Sequence, residues 1–415
     1  MEEIYRFRNL KALLQGDPKQ GYFGELENQS IYFAFPEELN DPVEGLRNIH
    51  WTGDRVVWEN LVRNYSLTLT NSILAHELSE DDFHNHIDSI DLFLMPSTIP
   101  TEKYKELYGR IARKVIRNPH VRFVLDIITA FERCIRKDEL LFHLDSIHLV
   151  VMKIVNRELS KEIPEAFDYK ANAPKPSFKC LVSKYRPIIE AVRKLDRADM
   201  QSYMDQFLEA QIQYLTAMQL KMGFYDDERD HTHRFFVLEF PKDYIESLQA
   251  LLFPAWATSC FVSDSENSAM WGHYADSHKG CCLIFKPMNE SLRLYNVPGT
   301  APTGGKSFPF HRIDYKHGAG DVDFFKSMGR LPLDLIKDNW MHSKNGHISD
   351  CFDYYKQSNG SDFRQHYWSN FIRDITRKTK DWDYENEYRL INEESFVELG
   401  PKESPSGRIV VTVKI

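Results

Sequence analysis

Cysteine is sparse in this chain and carries no pattern. The six cysteines, at 134, 180, 260, 281, 282 and 351, form no Cys-x-x-Cys pair, and no Cys/His ladder has the spacing of a zinc module. They read instead as small buried hydrophobes in a reducing compartment. Adjacent Cys281 and Cys282 would face opposite sides of a strand, poorly placed to share a ligand. No apolar stretch approaches the length needed to cross a bilayer, and the opening Met1-Glu2-Glu3-Ile4-Tyr5-Arg6 lacks the basic-then-apolar layout of a secretory signal. The expectation is a cytoplasmic protein with no membrane partner. Basic charge is also short. With 52 Lys and Arg against 61 Asp and Glu the net charge is −9, which argues against a wholesale nucleic-acid coat but leaves room for a local basic groove. Phosphate-binding glycine motifs are missing too: Gly304-Gly305-Lys306-Ser307 is similar to the end of a P-loop, but Gly299 stands one position too early. There is no Gly-x-Ser-x-Gly elbow, no His-Glu-x-x-His helix, no repeat and no low-complexity tract.

What remains is a chain of 415 residues with 42% hydrophobic content, long enough for two or three average domains or for one domain with large insertions. Ile4 to Leu14 begins with strand alternation and passes into a short helical pattern. Ser30-Ile31-Tyr32-Phe33-Ala34-Phe35 reads as a strand stopped by Pro36. From about residue 55 to 225 the periodicity is helical. Tyr104, Leu107, Tyr108, Ile111 and Val115 make an apolar stripe closed by Asn118-Pro119. Strand-like runs return at Phe235–Phe240, Trp256–Phe261, Gly280–Phe285 and Arg312–Tyr315, and again at Glu387–Asn392 and Arg408–Ile415, with mainly helical character over 322–378. The expected fold is α+β: a small mixed or antiparallel sheet core built from 1–54 and 226–415, interrupted by a large helical insertion over 55–225.

Two polar-aromatic runs fit neither a helical nor a strand period. Trp271-Gly272-His273-Tyr274-Ala275-Asp276-Ser277-His278 crowds two histidines beside large aromatics on a short helix and its exit. Trp382-Asp383-Tyr384-Glu385-Asn386-Glu387-Tyr388-Arg389 places Glu385, Glu387 and Arg389 on one strand face, where buried charges each need a partner. Like charges at that spacing resist joint ionisation, so Arg389 is expected to pair with Glu385 and leave Glu387 facing a ligand. With the turn Asn40-Asp41-Pro42-Val43-Glu44, these segments are expected to converge on one cleft. The bland readings are core aromatics, structural histidines and a self-satisfied turn. Arg110, Arg113, Lys114 and Arg117 add a basic cluster on the helix of residues 103–118, most simply a solvated face.

Several of these segments resemble the bacterial domain-of-unknown-function family 2971. They are the Tyr5-Arg6-Phe7 strand, the run from Ile31 to Glu44, and Cys260-Phe261 followed by Asn267, Met270-Trp271, Tyr274-Ala275 and Gly280. Ile313-Asp314-Tyr315 belongs with them, as does a late Lys-x-x-x-Trp-x-x-Glu-x-Glu-x-Arg pattern matched by Trp382, Glu385, Glu387 and Arg389. More distantly, Arg6, Tyr32-Phe33 and Glu385-Asn386-Glu387 are similar in order to ADP-ribosyltransferases, though no Ser-Thr-Ser follows the aromatic Tyr32-Phe33 run. That resemblance implies an NAD-consuming ADP-ribosyl-transfer enzyme, an effector such as a toxin or anti-phage protein, acting on a protein or nucleic-acid acceptor. In it Glu387 and Glu385 are catalytic, Arg6 neutralises the pyrophosphate, and Tyr32 or Tyr274 stacks on nicotinamide, with no structural metal. Two other classes stay open. One is a Mg²⁺-dependent nuclease or phosphoesterase using Asp41, Glu44, Glu385 and Glu387, and the other is a non-catalytic ligand-binding sensor, alone or with a partner protein or as an oligomer.

Overall fold

The computed structural model describes residues 2–17, 22–27, 29–41, 48–78, 90–92, 101–130, 133–162, 187, 190, 234–295, 305–316, 320–356 and 361–393. Glu44, the strand expected at 408–415 and most of the expected helical stretch beyond residue 162 lie outside them. The chain is α+β and divides into two compact units, one of 1–48, 254–322 and 365–415, the other of 49–253 and 323–364. No helix among the described residues is long and apolar enough to cross a membrane.

The first unit is built on a five-stranded sheet. Its strands in chain order are β1 (Ile4–Arg8), β2 (Trp256–Val262), β3 (Cys281–Phe285), β4 (His311–Arg312) and β5 (Glu387–Glu393). Across the sheet the order is β4-β5-β2-β1-β3, and every pairing is antiparallel. β2 and β5 pair along seven residues, from Glu387 opposite Val262 to Glu393 opposite Trp256. Directly opposed residues share a face, so Glu387, Val262, Arg389 and Cys260 look to one side while Leu390, Ser259, Tyr388 and Phe261 look to the other. The second side is apolar: Ile4, Ala257, Phe261 and Leu390 pack with Ile31, Phe33, Leu292, Leu294 and Phe308. Fully burying a side chain such as Phe261 stabilises by about 1.5–3 kcal/mol, and this layer fixes the register.

The second unit is mainly helical. Its principal helices are α1 (Arg55–Leu78), α2 (Glu102–Arg117), α3 (Pro119–Thr129) and α4 (Lys137–Glu162). The expected stripe of α2 is realised, with Leu107, Tyr108, Ile111 and Val115 buried. Asn118 ends α2 and caps α3, its side chain accepting from the amides of His120 and Val121, so two helices meet at a sharp corner.

The structure redraws four sequence expectations. Residues 323–364, read as part of the sheet domain, pack with the helices. Phe235–Phe240 is helical and leads into the helix Phe240–Leu248. A short, mostly apolar run has no period that distinguishes strand from helix. Ile31–Phe35 is extended but joins β2 only through the single bridge Ala34–Thr258. Of Arg312–Tyr315, only Arg312 lies in a strand, β4; Asp314 bridges to Arg377 instead.

Candidate functional site

β1 pairs with β3 over five residues but with β2 at one position, Tyr5 opposite Val262. Beyond that point the two central strands separate, and a cavity of about 280 Å³ opens in the gap. Arg6 and Phe7 line one wall, Ser259 and Cys260 the other, and Tyr274, Lys378, Glu385 and Glu387 close one end. The segment around Tyr32 and Ala34 runs along the mouth, with Asn40 beside it. Two short pieces of local geometry bring the acidic end together. A 3₁₀ turn over Lys380–Glu385 ends at Asn386, whose φ of 45° and ψ of 50° reverse the chain into β5. Asparagine tolerates this left-handed backbone better than most residues. Glu385 and Glu387, flanking that bend, both reach Lys378.

The resulting network is buried and paired throughout. Lys378 Nζ donates to Glu385 Oε2 at 2.7 Å and to Glu387 Oε2 at 3.2 Å. Arg389 donates to Glu387 from Nε at 2.7 Å and Nη2 at 3.2 Å, and from Nη1 to the Ile375 carbonyl at 2.9 Å. Tyr274 donates its phenolic hydrogen to Glu385 Oε1 at 2.6 Å, and the Glu387 amide donates to Tyr315 Oη at 2.9 Å. Glu385 and Glu387 are each 3% exposed and Arg389 1%, so every one of these bonds sits in a poorly hydrated environment where pairing is required. Burial pushes the Glu387 carboxyl up, opposed chiefly by Lys378. Burial also works to lower Lys378, but the Glu387 and Glu385 carboxylates outweigh it and hold the ammonium above its ordinary value. Burial pulls Arg389 down to about 9, with Asp41 acting in the opposite direction. Burial and the Glu385 carboxylate push the Tyr274 phenol up, so it stays a donor.

The other wall differs. Arg6 is 5% exposed, and its Nη2 donates to the Tyr32 carbonyl at 2.9 Å. Its Nη1 has no hydrogen bond and approaches Glu25 Oε2 at 3.6 Å, while Arg8 pairs with Glu25 directly. Burial, and then Arg8, lower Arg6 to about 10. Ser259 Oγ is buried and makes no hydrogen bond. The Cys260 thiol, between Arg6 and Glu387, is pushed well up by burial and by Glu387, which keeps it neutral and unsuited to nucleophilic attack.

The predicted site residues therefore divide. Arg6, Tyr32, Asn40, Tyr274, Glu385 and Glu387 line one cavity, and Arg389 stands directly behind Glu387. Asp41 is buried and acts on Arg389. Trp271 does not line the cavity: it packs edge-on against Phe7 at 5.0 Å and donates Nε1–H to the Ser265 carbonyl. His273 and His278 are exposed and away from the cavity, and His278 belongs to a run of three left-handed residues, Asp276–His278. That run folds back over Gly280, where a Cβ would lie 2.4 Å from the Arg8 carbonyl oxygen. The histidine expectation is corrected accordingly: His273 sits on the exposed side of the helix Ser268–Tyr274 and His278 in the turn that follows it. The pairing expectation is corrected as well, because Arg389 partners Glu387 itself and Lys378 bridges the two glutamates.

Lys378, Ser259, Cys260 and Tyr315 were missed. Lys378 sits in Arg377-Lys378-Thr379-Lys380, which reads as solvated linker, yet it lies four residues before Trp382, at the lysine of the Lys-x-x-x-Trp spacing. Its ammonium stands 4.6 Å from the centroid of the Trp382 ring. Compared with protein-family models, curated proteins and solved structures, the chain finds no match. The resemblances rest on the residues that carry them.

Proposed function

We propose that the split between β1 and β2 takes the nicotinamide-ribose part of NAD, and that the protein transfers ADP-ribose to a macromolecular acceptor. One observation carries the reading: Arg6, Ser259 and Glu387, on three adjacent strands, all line the single cavity where β1 and β2 separate, Ser259 from the sheet face opposite to that of Glu387. No Ser-Thr-Ser follows Tyr32-Phe33, but β2 carries a hydroxyl-bearing pair, Thr258-Ser259. The residues fit the group. A volume of about 280 Å³ lies near the low end of ligand pockets, roughly 300–1,000 Å³, and suits a nucleoside-sized part of a dinucleotide. Ser259 Oγ and Arg6 Nη1 are buried polar atoms without hydrogen bonds, which a ligand's oxygens would satisfy.

In the proposed reaction the glycosidic C–N bond breaks, nicotinamide leaves with the electron pair, positive charge develops on the ribose, and a nucleophilic atom of the acceptor, or water when none is present, bonds to the anomeric carbon and gives up its proton to solvent. Glu387 supplies the carboxylate facing that charge. It already accepts three N–H bonds from Lys378 and Arg389, and a ribose hydroxyl entering the cavity would add one more donor. Lys378 and Arg389 hold the carboxylate in place, and Lys378 opposes the rise that burial imposes on it. The Mg²⁺ reading is disfavoured by a specific feature, the Lys378 ammonium standing between Glu385 and Glu387 where a shared cation would sit. Release of free nicotinamide from NAD tests the proposal, and Glu387→Gln should reduce it at least a hundredfold in protein shown to be folded. Retention of full activity by a folded Glu387→Gln variant would refute the assigned role.

A further inference from the structure

The basic cluster on α2 is split by the structure into two sets. Lys114 donates to Glu158 at 2.6 Å, and Arg110 pairs with Glu162 and Glu158. Those two cations are consumed within the helical unit. Arg113 and Arg117, one turn apart, point elsewhere and line a cavity of about 420 Å³ with Arg55 and Arg63 of α1, Arg122 of α3 and Lys344. Glu59 is the one carboxylate in that lining, and it is engaged by Arg55 at 2.8 Å and Arg63 at 3.5 Å. Arg55 also pairs with Asp126. Among the described residues Arg113, Arg117, Arg122 and Lys344 have no carboxylate partner.

The backbone segments that carry these four unneutralised cations are fixed by built structure. The Asn118 corner between α2 and α3 sets Arg122 next to Arg113 and Arg117. Lys344 rides a tight turn in which Ser343 Oγ accepts from the amides of Asn345 and His347, and Gly346 takes a φ of 82° that disfavours any side chain. Asn60 of α1 ties the base of that turn down, donating to the Trp340 and His342 carbonyls at 2.8 and 2.9 Å. Burial, and then the charges of Arg63 and Arg113, push the Lys344 ammonium down. Like charges converging on one recess repel each other in the absence of a counter-charge. In a chain of net charge −9 such a recess is not a by-product of general basicity.

We infer that this recess is a binding site for a small, multiply phosphorylated ligand of nucleoside polyphosphate type. Convergent arginines supply forked donors suited to phosphate oxygens, and the volume falls within the range of small-ligand pockets. A nucleic-acid backbone is less suited, because the basic surface does not continue as a stripe: the next cations along α2, Arg110 and Lys114, are already paired with acids.

The test is calorimetric titration of the full chain with inorganic tripolyphosphate, with ATP, and with a 20-nucleotide RNA, at two salt concentrations. We expect one equivalent of tripolyphosphate or ATP to bind, and the double substitution Arg113→Ala/Arg117→Ala to weaken it at least tenfold. Arg122→Ala should do the same as an independent variant, whereas Lys103→Ala, at the far end of α2, should leave binding unchanged. Because Arg113, Arg117 and Arg122 are exposed, their removal should not lower the melting temperature of the ligand-free protein. Failure of the wild type to bind either polyphosphate, or equal binding by the arginine variants, would overturn the inference. So would RNA binding at least tenfold tighter than ATP that depends on the same arginines, which would make the recess part of a nucleic-acid surface.

Discussion

Arg389 holds Glu387, two positions away on the same strand face, through Nε at 2.7 Å and Nη2 at 3.2 Å. The catalytic candidate is therefore also a structural group, and its substitution cannot be silent for stability. Removing one member of a buried ion pair typically costs about 3–5 kcal/mol, since the other charge is left uncompensated. Glu387→Gln should lower stability by roughly 2–4 kcal/mol, and Arg389→Ala by at least as much. The double substitution should cost clearly less than the sum. Chemical denaturation of the four proteins gives the coupling energy, and strictly additive losses would contradict the pairing.

Asn386 makes a separate prediction about the bend that gathers the glutamates. Its left-handed backbone is costly for a residue with a full side chain, by about 1–2 kcal/mol. Asn386→Ala should lower stability by roughly 1 kcal/mol, while Asn386→Gly should be tolerated or nearly so. Equal losses from both would show that the side chain, not the backbone, is what matters there.

These residues also show how far the sequence was legible. The β5 strand and its buried face were readable because Glu387 and Arg389 at that spacing demand partners, but Glu385, expected on the same strand face, ends the 3₁₀ turn before the strand. The partner itself was not, since Lys378 comes from outside the strand and looks like solvated linker. Strand pairing is a long-range fact: the gap between β1 and β2 depends on residues about 250 apart, and no local period encodes it. The histidines at 273 and 278 misled because a titratable group beside aromatics looks the same on an exposed helix face or in a turn as in a site. The Phe235–Phe240 run misled because so short and mostly apolar a stretch carries no period that separates strand from helix.

In the helical unit, acid should act through His148. The ring is buried, its Nε2–H donating to the Phe236 carbonyl at 2.7 Å and its Nδ1 accepting from Tyr65 Oη at 2.6 Å. Burial lowers its pKa to about 4. Between that value and the ordinary 6.5 the unfolded chain binds the proton and the folded chain does not, so this group destabilises the fold as pH falls. Asp145, which burial pushes up to about 8, works in the opposite sense, so the useful quantity is a difference against His148→Gln, where Asp145 is retained. The stability advantage of wild type over that variant should shrink by about 2 kcal/mol between pH 7 and pH 5. A constant difference would mean that His148 titrates normally in the fold.

The measurement that bears most directly on the split-sheet cleft is nicotinamide release from NAD by wild type and by Ser259→Ala, with melting temperatures recorded alongside. Ser259 Oγ makes no hydrogen bond in the protein, so its loss should leave the melting temperature within about 2 °C of wild type. If that hydroxyl meets the ligand, kcat/KM should fall by roughly tenfold, the worth of one such hydrogen bond. Release by wild type, reduced in an equally stable Ser259→Ala, is the predicted result. No release from NAD by the wild type, or equal rates in the two proteins, would contradict the account.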